Sequence, residues 1–381
     1  MADRIYLDYA ATTPLAPEVR SAMEPWLDCG NPSSLHLEGR RARQAIDEAR
    51  ETVSSRLGCS FGEVVFSSSG TEAANMAILG AALGNQEPAR GRILFSSVEH
   101  HCVLHTSSIL KKFGYQVELI PVNGIGQLDL NALEGQLGPD VLLVSAMHIN
   151  NEIGTAHPNF ASMCRRNGAL IHRDAVQSFG WYPWTVSEID ADLISVSGHK
   201  LYGPKGVGAL FIRAGTKIQP LSVGGGQERE MRAGTENVAA IVGFGEAVRQ
   251  MTGDPSAAER RSQARDAFLQ RLSQVAGGLF ALTAPPEVAA GSHAHLRFPG
   301  ISAESMLILL DRMQVSASSG AACSSGSLEP SHVMLACGYT EAETREGLRF
   351  TFGRETTKDE ATRAAEIVAE AADQISAARK R

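Results

Sequence analysis

Short apolar runs alternate with amphipathic stretches from about residue 47 to residue 212 of the chain. The runs are rich in residues that favour strands, and the stretches between them have helical spacing. Near-continuous apolar strands separated by helices are typical of a largely parallel sheet that is covered on both faces. The pattern therefore predicts an α/β unit with strands at 64–66, 93–95, 117–120, 141–144, 170–171, 193–196 and 209–212.

Helical spacing is clearest in a segment that ends before Gly58, a residue type that commonly closes helices. Its apolar positions are Ala42, Ile46, Ala49, Val53 and Leu57. Towards the C-terminus, polar helical segments at 256–276 and 358–379 flank a strand-like stretch at 295–298. We interpret these as a second, smaller α+β domain. The predicted large domain spans 16–255, and the predicted small domain combines 1–15 with 256–381.

The composition narrows the possible functions. The 381 residues are 43% hydrophobic and 20% charged, which is typical of a globular protein. Lys and Arg number 35 against 42 Asp and Glu, a net charge of −7, so direct binding of nucleic acid is not expected. The N-terminus MADRIYLDYA lacks a signal-like apolar run, and no stretch approaches the ~18 apolar residues of a membrane span. We therefore expect a soluble cytoplasmic protein with reduced thiols.

A candidate phosphate site follows the first predicted strand. Ser69 and Glu72 have the spacing of a capping box, which would begin a helix at Gly70 and Thr71. Backbone N–H groups and the helix dipole at such a terminus favour a bound anion. An ordinary helix cap without a ligand is the alternative.

Further reactive side chains follow other predicted strands: His100, Asn151, Asp174 and Lys200. Ligands bind at the carboxyl ends of strands in open α/β sheets, so these four residues are expected to face one crevice. A phosphate cradle, a lysine and a buried aspartate are what pyridoxal phosphate needs, because the lysine forms a Schiff base and the carboxylate keeps the pyridine nitrogen protonated. Taken singly, Asp174 could cap a helix and Lys200 could be a surface cation.

A metal site is a competing interpretation, because the chain has eleven histidines. His101 and His105 are four residues apart on a possible helix, and His293 and His295 are two apart on a possible strand. Neither pair has further ligands at zinc-like spacing, so no metal is expected.

The stretch at about 317–328 consists mostly of small residues and carries Cys323. With little apolar bulk and two glycines, it is expected to be a mobile loop that exposes the thiol as a nucleophile. Downstream, Arg349 lies in a strand pattern. It is a candidate to bind a substrate carboxylate through two N–H groups of its guanidinium. A linker with an incidental cysteine and a surface arginine are the alternatives.

Motifs along nearly the whole chain resemble the cysteine desulfurase family, of the NifS/IscS type with the class V aminotransferase fold. They are YLDYAATTP, NPSSLH, SSSGTEAAN, VEHH, NNEIG, HRDAVQ, SGHKLYGPKG, GGGQE, RAGTENV, SSGAACSSGSLEPS and LRFTFGR. The resemblance implies fold type I of the pyridoxal-phosphate enzymes, with a mostly parallel seven-stranded sheet and a smaller α+β domain. It also implies a long cysteine loop and a homodimer.

The resemblance assigns a role to each matching residue. Lys200 would be the Schiff-base lysine, Asp174 the pyridinium partner, and His100 the ring that stacks on the cofactor and shuttles protons. Cys323 would take the sulfur. The other matching residues would bind the cofactor or substrate: Gln177 the ring hydroxyl; Gly70, Thr71, Ser197 and His199 the phosphate; Thr235 the phosphate of the partner subunit; and Asn151 and Arg349 the substrate carboxylate.

The implied reaction converts L-cysteine to L-alanine and leaves a persulfide on Cys323 for a sulfur-acceptor protein. His100 would take the proton of the substrate thiol. The acceptor is open among iron–sulfur cluster assembly, tRNA thiolation and DNA phosphorothioation. The departures from the family pattern are Ser69, Arg173 and Ala322, and none of them removes a reacting group. A selenocysteine lyase, a class V aminotransferase and a non-catalytic sulfur carrier are the alternatives.

Overall fold

The computed structural model describes residues 4–320 and 330–379. Its centre is a seven-stranded sheet in the order β2-β8-β7-β6-β5-β3-β4. These strands are β2 Val64–Ser67, β3 Arg92–Ser96, β4 Gln116–Ile120, β5 Val141–Ser145, β6 Leu170–Asp174, β7 Leu193–Ser197 and β8 Gly208–Ile212. A shorter N-terminal strand, β1 Ile5–Tyr6, lies outside this sheet.

The sheet is mostly parallel, as predicted. Only β8 runs antiparallel to its neighbours, β2 on one side and β7 on the other. All other pairings in this sheet are parallel. The carboxyl ends of β2, β3, β5, β6 and β7 therefore meet at one edge, where ligands bind in sheets of this kind.

Helices cover both faces of the sheet. Those up to the end of the central sheet are α1 Pro17–Met23, α2 Leu37–Leu57, α3 Gly70–Leu83, α4 His101–Leu104, α5 Ser107–Lys112, α6 Leu130–Gln136, α7 Ala161–Arg166 and α8 Val186–Ile189. After the sheet come α9 Val238–Gly253, α10 Ala257–Val275, α11 Ala303–Arg312, α12 His332–Ala336, α13 Glu341–Thr344 and α14 Lys358–Arg379.

The two faces are built from alternate residues of each strand. In β2, Val64 and Phe66 pack in one apolar cluster with α2 and α9, whereas Val65 packs in another with α3. Helix α2 ends as its pattern predicted: Gly58 adopts φ 70°, and its N–H bonds to the carbonyl of Ser54. This left-handed conformation is accessible to glycine without the Cβ clash of other residues.

The remaining strands form two small sheets beside the large one. They are β9 Ala281–Leu282, β10 His293–Arg297, β11 Val315–Ser316 and β12 Gly347–Thr351. A three-stranded sheet has the order β12-β10-β9, and β1 pairs with β11. Ile5 and Leu7 share an apolar cluster with α10, α11, α14 and the strands β10, β11 and β12. The domain boundaries at 15/16 and 255/256 stay a prediction with which this packing is consistent.

Within the described residues, none of the helices combines the length and the apolar character needed to cross a bilayer.

Candidate active site

A cavity of about 350 Å³ lies at the carboxyl edge of the central sheet. This volume is within the range of small-molecule and cofactor pockets. Ten of the residues singled out from the sequence line it: Gly70, Thr71, His100, Asn151, Asp174, Gln177, Ser197, His199, Lys200 and Arg349.

Lys200 ends a short 3₁₀ helix directly after β7. Its Nζ donates to the carbonyl oxygens of Ala10 at 2.5 Å and Ala11 at 2.8 Å. Gln177 Nε2 also donates to the carbonyl of Ala10, at 3.0 Å. The N-terminal arm, the residues before α1, therefore forms the part of the cavity wall that the lysine contacts. Sequence reasoning missed these two carbonyls, because a backbone acceptor has no residue-type signature.

Asp174 ends β6 and is 6% exposed. Its Oδ1 accepts the N–H of Val176 at 2.9 Å. Burial raises the pKa of Asp174 to about 6, while that hydrogen bond and the charge of Lys200 oppose the rise. A positively charged partner in the cavity would therefore favour the ionised carboxylate.

His100 caps the N-terminus of α4. Its Nδ1 accepts the N–H of Cys102 at 3.1 Å, so the neutral ring carries its proton on Nε2. Burial, followed by the charge of Lys200, lowers the pKa of His100 to about 4. The ring is therefore neutral near pH 7.

The candidate phosphate cradle is the N-terminus of α3. Ser69 Oγ accepts the N–H of Glu72 at 3.1 Å, as a capping box requires. The reciprocal bond differs from the prediction: Glu72 Oε2 accepts the N–H of Ser68, at 2.6 Å, and not that of Ser69. The other oxygen of Glu72 pairs with Arg232 Nε at 2.9 Å, which turns the carboxylate away from its own cap.

Three features of this cradle fit a bound phosphate. Ser197 Oγ is buried and has no hydrogen-bond partner among the described residues. A Cβ on Gly70 would lie 2.9 Å from Val176 Cγ2 and 3.2 Å from Ser197 Cβ, so the space there depends on glycine. His199 is held by a hydrogen bond of 3.1 Å between its Nδ1 and Thr12 Oγ1. Burial lowers the pKa of His199 to about 3, so its ring is neutral near pH 7.

Asn151 and Arg349 also line the cavity. Arg349 Nη1 donates to the carbonyl oxygen of Asn151 at 2.7 Å. The neighbouring Asn150 is fully buried, and its side chain binds the backbone: Oδ1 accepts the N–H groups of Glu152 and Ile153. Asn150 thereby fixes the turn on which Asn151 is presented.

The comparisons with known proteins agree with this geometry. The Aminotransferase class-V family matches residues 5–363. A cysteine desulfurase IscS of Dictyoglomus turgidum is 43% identical over 365 residues, which are 94% of this chain and 92% of the relative. The chain belongs to the cysteine desulfurase family.

Solved structures are similar over nearly the whole chain. A NifS-like protein has a TM-score of 0.88 and 31% identity, covering 96% of this chain and 98% of its own. A structure described as SspA in complex with cysteine has a TM-score of 0.81 and 33% identity, covering 92% and 99%. Class V aminotransferases and cysteine desulfurases are pyridoxal-phosphate enzymes, and the cradle, Asp174 and Lys200 of this chain fit that cofactor.

One residue predicted for a cysteine desulfurase site lies away from the cavity, and another is outside the described residues. Thr235 is exposed and does not line the cavity; its role towards a partner subunit stays a prediction. Cys323 lies in 321–329, outside the described residues, as does most of the predicted cysteine loop. The described end of that loop, Gly320, lines the cavity.

A buried polar network beneath the cavity of this cysteine desulfurase was missed from the sequence. Glu99 Oε1 accepts the N–H of Met147, and its Oε2 accepts from Ser145 Oγ at 3.1 Å. Ser145 Oγ also bonds to His172 Nδ1 at 2.8 Å, and His172 Nε2 to Ser195 Oγ at 3.2 Å. Glu99 precedes His100 in the VEHH motif, which was the available signal.

Arg173, a departure from the family pattern, is accommodated by backbone and aromatic contacts. It donates to the carbonyl oxygens of Ala146 and Met147 at 3.2 and 3.3 Å. Its guanidinium also lies 4.3 Å from the centre of the Phe160 ring. Arg173 is not among the residues that line the cavity.

The histidine pairs considered for a metal have other surroundings. His293 Nδ1 bonds to Ser292 Oγ at 2.8 Å, and His295 Nδ1 bonds to Thr283 Oγ1 at 2.7 Å. The rings of His101 and His105 lie 4.7 Å apart. Over residues 4–320 and 330–379, no three His, Cys, Asp or Glu side chains are grouped so as to hold a metal ion.

Proposed function

We propose that this chain converts L-cysteine to L-alanine with pyridoxal phosphate and transfers the sulfur, as a persulfide on Cys323, to an acceptor protein. The observation that carries the proposal is one cavity lined by Lys200, Asp174, His100 and the N-terminus of α3. The SspA structure described as containing cysteine supports L-cysteine as the substrate.

The residues that would hold the cofactor divide between its phosphate and its ring. Gly70, Thr71, Ser197 and His199 would hold the phosphate, while His100 would stack on the ring and Gln177 would bind its hydroxyl. Bound there, the cofactor supplies an electron sink for the substrate carbons. Asp174, buried and next to the charge of Lys200, would keep the pyridine nitrogen protonated.

Lys200 would serve as the covalent attachment point and then as the base that takes the proton from the substrate Cα. The two carbonyls of the N-terminal arm, Ala10 and Ala11, hold its Nζ at the cavity. These two hydrogen bonds restrict the amine to few positions. A general base that is already positioned loses less freedom when it reacts.

His100 would act on the substrate sulfur. Because its Nδ1 is occupied by the Cys102 amide, the neutral ring offers Nε2–H and stabilises a thiolate by donating a hydrogen bond. To take the thiol proton on Nδ1, the ring must first release that amide. We therefore assign His100 as a hydrogen-bond donor to the substrate sulfur before that release, and as the base that takes the thiol proton after it.

Arg349 and Asn151 would orient the substrate carboxylate. Arginine presents several N–H groups in one plane, which matches a carboxylate. Because its guanidinium is held by Asn151 O at 2.7 Å, little side-chain freedom remains to be lost on binding.

Cys323 would accept the sulfur. It follows Gly320, which lines the cavity, by three residues in the sequence. Its thiolate forms the S–S bond as the Cβ–S bond of the substrate breaks. The remaining three-carbon fragment takes up protons and leaves as L-alanine. Thiol exchange then passes the outer sulfur to the acceptor.

We also propose that the protein is a homodimer and that it acts in the cytoplasm. A homodimer would let the exposed Thr235 reach the phosphate of the partner subunit. The acidic balance favours a protein acceptor in the cytoplasm over direct contact with nucleic acid. Iron–sulfur cluster assembly, tRNA thiolation and DNA phosphorothioation would each begin from this persulfide.

The proposal is tested by measuring release of alanine and sulfide from L-cysteine with a reductant, preceded by the visible spectrum of the protein. We expect a yellow protein that forms the two products one to one. Cys323→Ser should keep the colour and lose sulfur transfer, whereas Lys200→Ala should lose the absorbance of the covalently attached cofactor. Full desulfurase activity of Cys323→Ser would refute the role of Cys323, and a colourless protein that pyridoxal phosphate does not restore would refute the proposal itself.

A further inference from the structure

The buried carboxyl of Glu152 lies against both residues that flank the Cys323 segment. Glu152 is 3% exposed, and its Oε2 accepts a hydrogen bond from Ser331 Oγ at 2.6 Å. Gly320 lies close to the same oxygen: a Cβ added to Gly320 would be 3.1 Å from it. Residues eleven positions apart in the sequence are therefore brought to one carboxyl oxygen.

Each flank is also held by its own hydrogen bonds. On the N-terminal side, Ser318 and Arg349 exchange backbone hydrogen bonds of 3.2 and 2.6 Å, and the N–H of Gly320 donates to Ser318 Oγ. On the C-terminal side, Ser331 Oγ accepts the N–H of Met334 and so caps α12. These bonds fix each flank locally, whereas Glu152 lies against both flanks.

The residue after Ser331 is held by the loop that presents His100 at the cavity. His332 Nε2 donates to the carbonyl oxygen of Glu99 at 2.9 Å. Glu99 and Glu152 are the chain neighbours of His100 and Asn151, which line the cavity. The flanks are thus joined to the two loops that present the residues proposed to contact the substrate.

The backbone that carries Glu152 is itself rigid. Asn150 Oδ1 accepts the N–H of Glu152 at 2.8 Å, and Asn150 Nδ2 donates to the carbonyl oxygen of Val98 at 3.0 Å. Burial raises the pKa of the Glu152 carboxyl, while Ser331 and the charge of Arg349 oppose the rise. A serine hydroxyl can donate or accept, so the contact survives in either protonation state.

We propose that Glu152 is a positioning residue that holds Gly320 and Ser331 together at the cavity and thereby sets how often the Cys323 thiol meets the bound substrate. Tethering both ends of a segment raises the effective concentration of a group on it. The effect on the reaction rate rests on the function proposed above. The contact of Glu152 with both Gly320 and Ser331, which we call the clamp, does not depend on that function.

The direct test is hydrogen–deuterium exchange of the cofactor-loaded protein, comparing Glu152→Ala with the matched control Glu152→Gln. Glutamine keeps the length and an acceptor oxygen for Ser331, whereas alanine removes the contact. We expect exchange in peptides covering 318–320 and 331–337 to rise together by about tenfold or more in the alanine variant and much less in the glutamine variant. Unchanged exchange at both flanks, or an equal rise in the two variants, would overturn the proposal.

A second pair of variants covers the case that Glu152→Ala does not fold. Ser331→Ala removes the donor to Glu152 together with the cap of α12. Thr340→Ala removes only the equivalent cap of α13, where Thr340 Oγ1 accepts the N–H of Glu343. Increased exchange at 318–320 in Ser331→Ala but not in Thr340→Ala supports the clamp, because these residues lie at least eleven positions before the mutated serine in the sequence. Exchange confined to 331–337 contradicts it.

The kinetic readout separates positioning from general damage. In Glu152→Ala, kcat for alanine formation should fall on the order of tenfold, the scale expected when a reacting group is displaced. The KM for L-cysteine and the visible spectrum should stay close to those of the parent protein. A raised KM with unchanged kcat would show that Glu152 serves substrate binding instead. If the parent protein forms no alanine, the proposed function fails, and the exchange experiment still decides the clamp.

Discussion

Arg349 donates a hydrogen bond from Nη2 to Asp8 Oδ1 at 2.8 Å, joining β12 to the N-terminal arm. The arginine is 3% exposed, so Asp8 provides the counter-charge that a buried guanidinium requires. With Nη1 on the carbonyl of Asn151, the plane of the guanidinium is set before any substrate arrives. The substrate carboxylate would therefore meet a preorganised fork.

Arg349→Lys tests this arrangement. A lysine keeps the charge but lacks the planar set of donors, and it cannot hold Asp8 and Asn151 together. We expect the KM for L-cysteine to rise at least about tenfold, equivalent to about 1.4 kcal/mol, with a smaller change in kcat. Initial rates of alanine formation measure both constants. Asp8→Asn keeps an acceptor opposite Nη2 and should change KM less; equal effects in the two variants would show that the charge of Asp8 matters more than the fork.

Ser197→Ala tests the phosphate cradle. Because Ser197 Oγ has no partner among the described residues, its loss should leave the melting temperature of the cofactor-free protein nearly unchanged. A hydrogen bond to a charged group contributes about 1.5–3 kcal/mol, so the Kd for pyridoxal phosphate should rise by about 10- to 100-fold. Ser195→Ala, two residues earlier on β7, breaks the bond to His172 and should show the opposite pattern. A Ser197 variant that binds cofactor normally would remove this residue from the site.

Gly70→Ala tests whether the space at the start of α3 is needed. The added Cβ would lie 2.9 Å from Val176 Cγ2, closer than atoms of this kind pack, and would narrow the cradle. We expect the affinity for pyridoxal phosphate to fall by at least about tenfold, measured by fluorescence or absorbance titration. Gly62→Ala is the matched control, since nothing lies within 4 Å of its Cβ position. Equal affinities in the two variants would contradict the assignment.

The buried histidines predict acid sensitivity of the cofactor-free protein. Burial lowers the pKa of His157, His172 and His295 to about 3, below the ordinary value near 6.5. A group with a lowered folded-state pKa contributes stability above the unfolded-state pKa and loses it as the pH falls towards the folded-state pKa. At pH 5.5 each of these three histidines would cost on the order of 1 kcal/mol, and together they would remove a large share of a typical stability.

Burial raises the pKa values of three carboxyls, Glu99, Glu152 and Asp174. Because of this rise, their contribution to the stability of the folded protein increases as the pH falls. Eight histidines with lowered pKa values outnumber these three. We therefore expect the melting temperature to fall steeply between pH 6.5 and 5. In His157→Asn, which retains an acceptor at the position of Nδ1 for the N–H of Leu128, the fall should be shallower. A melting temperature that stays constant over this interval would contradict the prediction.

Much of the architecture was predictable from local pattern. All seven apolar runs are strands of the central sheet, and the segment before Gly58 is a helix closed by that glycine. Such features depend on residue periodicity and on backbone preferences of single residues, which are written locally in the chain. The residues that follow the strands could also be expected to share one edge, since parallel strands align their carboxyl ends.

The contacts within that edge were decided by the tertiary structure alone. Lys200 bonds to carbonyls of Ala10 and Ala11, about 190 positions away, and Arg349 bonds to Asp8 across 341 positions. Carbonyl groups are the same in every residue, so no pattern marks the ones that a distant side chain will meet. For the same reason, the sequence pattern did not indicate that β8 runs antiparallel to its neighbours. It also did not indicate that Glu72 pairs with Arg232. Sequence periodicity determines which face of an element is buried, whereas pairing between distant groups depends on how all the elements pack together.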